Sequence, residues 1–196
     1  MIDTNAEFKD VMKMCREVFE KKLHDYGAAW RILRPTSLTD QIYIKANRIR
    51  SLQTKETKLV EEGQQPEFVA IVNYGIIGLI QLSLGVADKQ DLTNEKALKK
   101  YDEFAHKTFD LMVRKNHDYD EAWRLMRIES YTDLILMKIF RTKQIEENNG
   151  STLVSEGIDA NYYDMINYSV FALIKIDGFE KQKERRESAT GKSENK

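Results

Sequence analysis

The sequence predicts an all-α fold, a helical bundle made of two tandem three-helix repeats related by a pseudo-twofold axis. Three observations predict it. Apolar residues recur at three and four positions along almost the whole chain, the spacing of a helix face. Only two prolines, Pro35 and Pro66, interrupt its 196 residues. The third observation is repetition: His24-Asp25-Tyr26 with Ala29-Trp30-Arg31 returns as His117-Asp118-Tyr119 with Ala122-Trp123-Arg124, 93 positions on (24 to 117). Arg34, Ser37, Thr39, Asp40, Ile42, Lys45 and Arg48 recur in the same register as Arg127, Ser130, Thr132, Asp133, Ile135, Lys138 and Arg141. One inserted residue then makes the offset 94, so that Glu62-Gly63 and Asn73-Tyr74 return as Glu156-Gly157 and Asn167-Tyr168. A repeat retains what its unit needs, so comparing the two copies separates required positions from tolerated ones.

The first helix carries Phe8, Val11, Met12, Cys15, Val18, Phe19 and Leu23 as one stripe, and its counterpart carries Phe104, Thr108, Phe109, Met112 and Val113. Both stop before the His-Asp-Tyr segment, with Gly27 as a left-handed cap in the first copy and Asp120 in its place in the second. A loop through Trp30 and Pro35 leads to a second helix near Ser37 to Gln53, matched by Ser130 to about Glu147. A third helix spans about Pro66 to Leu84, matched by Asp159 to about Phe179. The first repeat is thus 1–84, the linker 85–93 and the second repeat 94–179. The stretch 180–187 is charged except for Gln182, and the tail 180–196 is expected to fray or be disordered. Each unit is too small to bury its apolar faces alone, so both should pack into one body, a monomer that mimics a dimer or a true homodimer.

Composition narrows the function classes. The 31 basic and 32 acidic residues leave a formal net charge of -1, so no overall field draws the chain to nucleic acid or an anionic membrane. Cys15 is the single cysteine, which excludes an internal disulfide and a cysteine-rich zinc site and suits a reducing, cytoplasmic setting. The start, Met1-Ile2-Asp3-Thr4-Asn5, does not read as a signal peptide. The apolar run Ile71 to Val86 is broken by Asn73 and Gln81 and falls short of the ~20 residues of a membrane span, so it reads as a buried helix.

Chemistry concentrates on the second and third helices. Lys45 and Lys138 fall in or beside apolar stripes, and Arg48 and Arg141 lie one turn on. Cations at such positions need anions, because an unpaired buried charge is costly. Phosphates meet that need, and so do internal carboxylates such as Asp25 or Glu62. Asp40 and Asp133 each follow a serine by three, the spacing of a helix-capping arrangement at Ser37 and Ser130. Glu62, Glu156 and Asp164 are the metal candidates, Asp164 lying one turn before Asn167 on the same face. Carboxylates of this kind hold Mg²⁺ when phosphates supply its other ligands. The first copy has Ala70 where the second has Asp164, and Glu67, where the second has Asn161, is a partial substitute.

Asn73 and Asn167 sit inside apolar helices, where an amide needs partners: another helix, or a base or ribose. Trp30 and Trp123, with Tyr26 and Tyr119, suit either base stacking or hydrophobic corner packing. His24 and His117 lie near helix ends and are too isolated for a zinc set. Gly-rich phosphate loops, nucleophile elbows and His-Glu-x-x-His helices are absent from the sequence.

Lys22 to Trp30, Asp40 to Ile49 and Glu62 to Tyr74, with their second copies, resemble the nucleotide-modification-associated domain family of bacteria and phages in its tandem form. The Asp-Tyr-Gly-x-x-Trp and Lys-x-x-Arg-Ile elements carry the resemblance. That family is in turn similar to the all-α nucleoside triphosphate pyrophosphohydrolases of MazG and dimeric dUTPase type, which use helix-borne carboxylates, Mg²⁺ and water. This chain departs from their paired Glu-x-x-Glu and Glu-x-x-Asp motifs: Glu17 and Glu20 face Asp110 and Val113 in the second copy, and Glu156 and Asp159 face Glu62 and Gln65 in the first. The resemblance implies a MazG-like nucleotide-binding protein, extending to a Mg-dependent hydrolase acting on canonical or modified nucleotides. In it Lys45, Arg48, Lys138 and Arg141 hold phosphate, Asn73, Asn167, Trp30 and Trp123 hold base or ribose, and Glu156 and Asp164 serve catalysis. The alternative is a non-catalytic nucleotide sensor or a partner protein of a DNA-modification system.

Overall fold

A computed structural model describes residues 3–55, 63–154 and 156–190, with side chains as far as Gly178. Among the described residues six α-helices form: α1 (Thr4–Tyr26), α2 (Pro35–Thr54), α3 (Gln65–Leu84), α4 (Asn94–Tyr119), α5 (Ile128–Glu147) and α6 (Ile158–Thr190). A single 3₁₀ turn stands between the first two helices of each repeat, Ala29–Ile32 and Ala122–Leu125, where a loop is expected. No strand occurs among the described residues.

Local chemistry explains the helix ends. Asp3 caps α1 by accepting from the backbone N–H groups of Asn5 and Ala6, and Thr93 caps α4 by accepting from Lys96. Gly27, at a φ of 64°, ends α1 and donates its N–H to Leu23. Asp120 ends α4 in the left-handed conformation. The expected caps of the second helices are corrected: α2 starts at Pro35 after Arg34, α5 starts at Ile128 after Arg127, and neither end has a side-chain cap. Proline at the first helical position presets φ, so α2 begins before Ser37 can act as a cap. Helix α6 runs past Phe179 to Thr190, because Glu, Lys, Gln and Arg are good helix formers.

The helices form three layers. Helices α3 and α6 pack along each other in the middle, α2 and α5 cover one face, and α1 and α4 cover the other. Helix α1 also reaches α6, and α4 reaches α3, so each repeat closes over the other's core helix. A helix covered on both faces is apolar nearly all round, which is the pattern of α3. By length and composition α3 alone among the described helices is able to cross a bilayer, with mean hydropathy 1.6, and 72% of that window is buried inside the protein. Gly75 and Gly78 bring the two core helices together: a Cβ on Gly75 would stand 2.6 Å from Ile166 Cγ1, and one on Gly78 would collide with the Tyr162 ring.

The pseudo-twofold is visible where α2 meets α5. Asp40 pairs with Lys143 at 2.5 Å, and its register mate Asp133 faces Arg50 at 3.7 Å. Thr39 Oγ1 donates to Glu146 at 2.7 Å, while Gln53 Nε2 donates to Thr132 Oγ1 at 3.0 Å. Asp40 and Asp133 therefore tie the repeats together instead of capping their own helices.

Candidate functional site

The 3₁₀ turns present the two tryptophans, and each turn is held from behind by the end of its core helix. Gln81 Nε2 donates to the carbonyls of Arg31 and Leu33 at 2.9 and 2.6 Å. Lys175, its register mate, donates to the carbonyls of Arg124 and Met126. Burial, with the nearby Arg124 charge, lowers the Lys175 pKa. In the first repeat the buried Arg31 also donates to both carboxylate oxygens of Asp91 from Nε and Nη2, at 2.7 and 3.1 Å, so the linker is clamped onto the Trp30 turn.

The basic residues of the second helices meet protein carboxylates. Lys45 Nζ lies 3.1 Å from Glu67 Oε2, a charge contact off the hydrogen-bonding axis, and Arg48 lies 3.2 Å from Glu67 Oε1. Lys138 Nζ lies 2.6 Å from Asp164 Oδ2, and Lys115 Nζ lies 2.6 Å from Asp164 Oδ1. Glu67 and Asp164 are both buried but belong to different register positions, one helical turn apart, since Asn161 replaces Glu67 and Ala70 replaces Asp164. The acid has moved by one turn between repeats, and the lysine of the second helix finds it in each case. Arg141 is half-buried and makes no ion pair among the described residues; its charge opposes the rise that burial imposes on the Tyr168 hydroxyl pKa.

The amides and indoles differ between repeats as well. Asn73 Nδ2 donates to the Cys15 carbonyl at 3.0 Å, and Tyr101 donates its hydroxyl to Asn73 Oδ1 at 2.8 Å. Asn167 is equally buried, yet neither amide atom has a partner; Phe8, which stands in Tyr101's place in the register, brings no hydroxyl. Trp123 Nε1 donates to Asn116 Oδ1 at 3.1 Å, and its ring stacks on Phe171 with centroids 4.3 Å apart. Trp30 has Leu23 where Trp123 has Asn116, and its buried Nε1 has no partner.

Beside Trp30 lies a cavity of about 570 Å³ between α1, the 3₁₀ turn and α3. Its walls are mostly apolar, with Phe19, Tyr26, Trp30 and Tyr74 as aromatic residues, Asn73 and Gln65 as amides, and Lys22 as the one charged residue among the described lining. Lys22 is exposed and makes no ion pair among the described residues. A second cavity, of about 350 Å³, contains Glu156, Asp159 and Lys115. Lys115 therefore links the two acidic candidates of the second repeat, Glu156 in the groove and Asp164 beneath it.

For Mg²⁺ the donor chemistry is decisive. Each Asp164 oxygen faces an ammonium at 2.6 Å, so its charge is already matched, and Glu156 is exposed. No group of three or more His, Cys, Asp or Glu residues gathers among the described residues in a way that would hold an ion. The described carboxylates do not fit a divalent cation. Glu62 lies outside the described residues.

Lys115 and Glu67 are the residues that sequence reasoning undervalued. Their signal was present: Lys115 repeats Lys22 in the 93-residue register, and Glu67 lies on the third helix one turn before Ala70.

Fold and site together define an all-α tandem-repeat protein with a tryptophan-lined cavity in one repeat and, in the other, a smaller groove at the corresponding place whose tryptophan is covered by Phe171. The chain belongs to the family described as nucleotide modification associated domain 1, whose sequence model matches residues 22–82 and again 115–176, more than half of the chain. No curated protein and no solved structure matches it.

Proposed function

We propose that this protein binds a nucleotide in the cavity of its first repeat and does so without turnover. The observation that carries the proposal is that cavity: about 570 Å³, faced by Tyr26, Trp30 and Tyr74, with an unpartnered indole N–H at Trp30 and a lysine, Lys22, that makes no ion pair among the described residues. Flat aromatic faces with few polar groups suit a purine or pyrimidine ring, and the volume lies within the range of small-molecule sites. The family description supports a nucleotide over other flat ligands. The protein would act as a nucleotide sensor or as the binding partner of a DNA-modifying system.

The rival reading, Mg-dependent pyrophosphate release, rests on the distant likeness to the MazG-type enzymes. It is disfavoured by the lysine-matched Asp164 and by Glu67, which already engages Lys45 and Arg48.

The test is a thermal-shift panel of nucleoside mono-, di- and triphosphates, canonical and modified, with and without Mg²⁺, followed by product analysis of every hit. Binding that quenches Trp30 fluorescence in a Trp123→Phe background, with no product and no need for Mg²⁺, is the expected result. Mg²⁺-dependent pyrophosphate release would replace this reading with the enzymatic one, and a flat response across the panel would end both.

A further inference from the structure

We infer that the first-repeat cavity takes a ligand joining a flat ring to a single anionic group. The inference deepens the nucleotide reading and rests on it only for the identity of the ring.

The second repeat supplies the template. Where the first repeat has Ala70, the second has Asp164, whose carboxylate sits between Lys115 and Lys138. Where the first has Ile77, the second has Phe171, whose ring lies flat on Trp123 with an interplanar angle of 10°. The second repeat thus fills the tryptophan end of its own site with a carboxylate and an aromatic ring, and only the smaller groove beside Lys115 remains. Phe171 follows Asp164 by seven positions, about two turns along α6, so both fall on the same side of that helix.

The first repeat keeps the receiving groups and lacks the filling ones. Trp30 and Lys22 are the register mates of Trp123 and Lys115, and Ala70 and Ile77 line the same cavity. Truncation from Asp to Ala leaves Lys22 with no ion pair among the described residues, and truncation from Phe to Ile leaves Trp30 on the cavity wall with only the tilted Phe19 ring against it, where Trp123 has a ring stacked flat. Lys45, mate of Lys138, is engaged by Glu67, so among the described residues the anion meets one available cation, Lys22. One cation selects for one charged group: further phosphates would extend toward solvent without a partner. A nucleoside 5′-monophosphate and a simple aromatic carboxylate share this chemistry.

Calorimetry on the full chain with nucleosides, their 5′-monophosphates and triphosphates, and 3-indolepropionate tests the inference, with Ala70→Asp as the principal variant. A monophosphate should bind at least tenfold tighter than its nucleoside and no weaker than its triphosphate. Ala70→Asp should abolish that binding while holding or raising Tm, because the new carboxylate meets Lys22. If Ala70→Asp does not fold, Lys22→Gln reads the anion contact and Ile77→Phe reads the ring contact. Equal binding of nucleoside and monophosphate, or binding indifferent to these variants, overturns the inference and leaves the nucleotide reading standing. Indolepropionate binding that Ala70→Asp abolishes, without any nucleotide binding, sustains the inference and overturns the nucleotide reading. Silence from every compound overturns both.

Discussion

Lys138 Nζ lies 2.6 Å from Asp164 Oδ2, with both side chains less than a tenth exposed. The other oxygen of Asp164 holds Lys115, which is nearly half exposed. The three charges are not equivalent. Asp164 is the hub, one lysine is sealed in with it, and the other reaches water and keeps a solvation alternative.

Removing the hub should therefore cost far more than removing the buried spoke. Asp164→Ala leaves Lys138 charged and uncompensated in the core, a loss of about 3–5 kcal/mol. Lys138→Met leaves Asp164 paired with Lys115 and adds apolar packing, a change of about 1 kcal/mol or less. Urea unfolding of the two variants checks this, and equal losses would refute the hub assignment.

The crossing of α3 and α6 depends on Gly78. A Cβ there would strike the Tyr162 ring, which is fully buried and shares a hydrogen bond of 2.9 Å with Thr39. Gly78→Ala should cost about 1–3 kcal/mol through forced repacking. Gly178→Ala, a site where a Cβ meets nothing within 4 Å, should instead gain about 0.5–1 kcal/mol from helix propensity. Thermal melts of the pair that showed the same sign would contradict this account.

Stability should fall with pH at Glu146. Burial raises the pKa of this carboxyl, and the Thr39 hydroxyl that donates to it offsets only part of the rise. A raised folded pKa means that the native state holds the proton more tightly than the unfolded chain does. Between the ordinary carboxylate pKa and the raised value, stability is lost as pH climbs. Glu146→Gln removes that loss, so the Tm of the variant minus that of the wild type should grow from about pH 4 to about pH 7. A constant difference across that range would show that the carboxyl is not perturbed.

Much of the fold was legible in the residues. The 3.6-residue spacing, the scarcity of proline and the double register determined six helices in two copies. The need of Lys45 and Lys138 for anions was legible too, since both stand in apolar stripes. Which anions answer was not. Asp25 and Glu62 were the sequence candidates, and the described partners are Glu67 and Asp164, which come from the third helix of each repeat. Ser37 and Ser130 misled in another way, because a spacing that suits a cap was used within helices that had already begun.

By itself the sequence determined whatever depends on neighbours along the chain: helix periodicity, the glycine at the end of α1, the apolar surround of α3, and the repeat itself. Only the tertiary structure decided which repeat keeps a cavity that reaches its tryptophan. Ala70 against Asp164 and Ile77 against Phe171 are unremarked substitutions in a linear comparison. Their meaning appears only when α1 and α3 face each other across Trp30, while Phe171 lies on Trp123. Local propensities act between residues a turn apart, whereas a cavity is the volume left when distant side chains pack, and no single segment contains it.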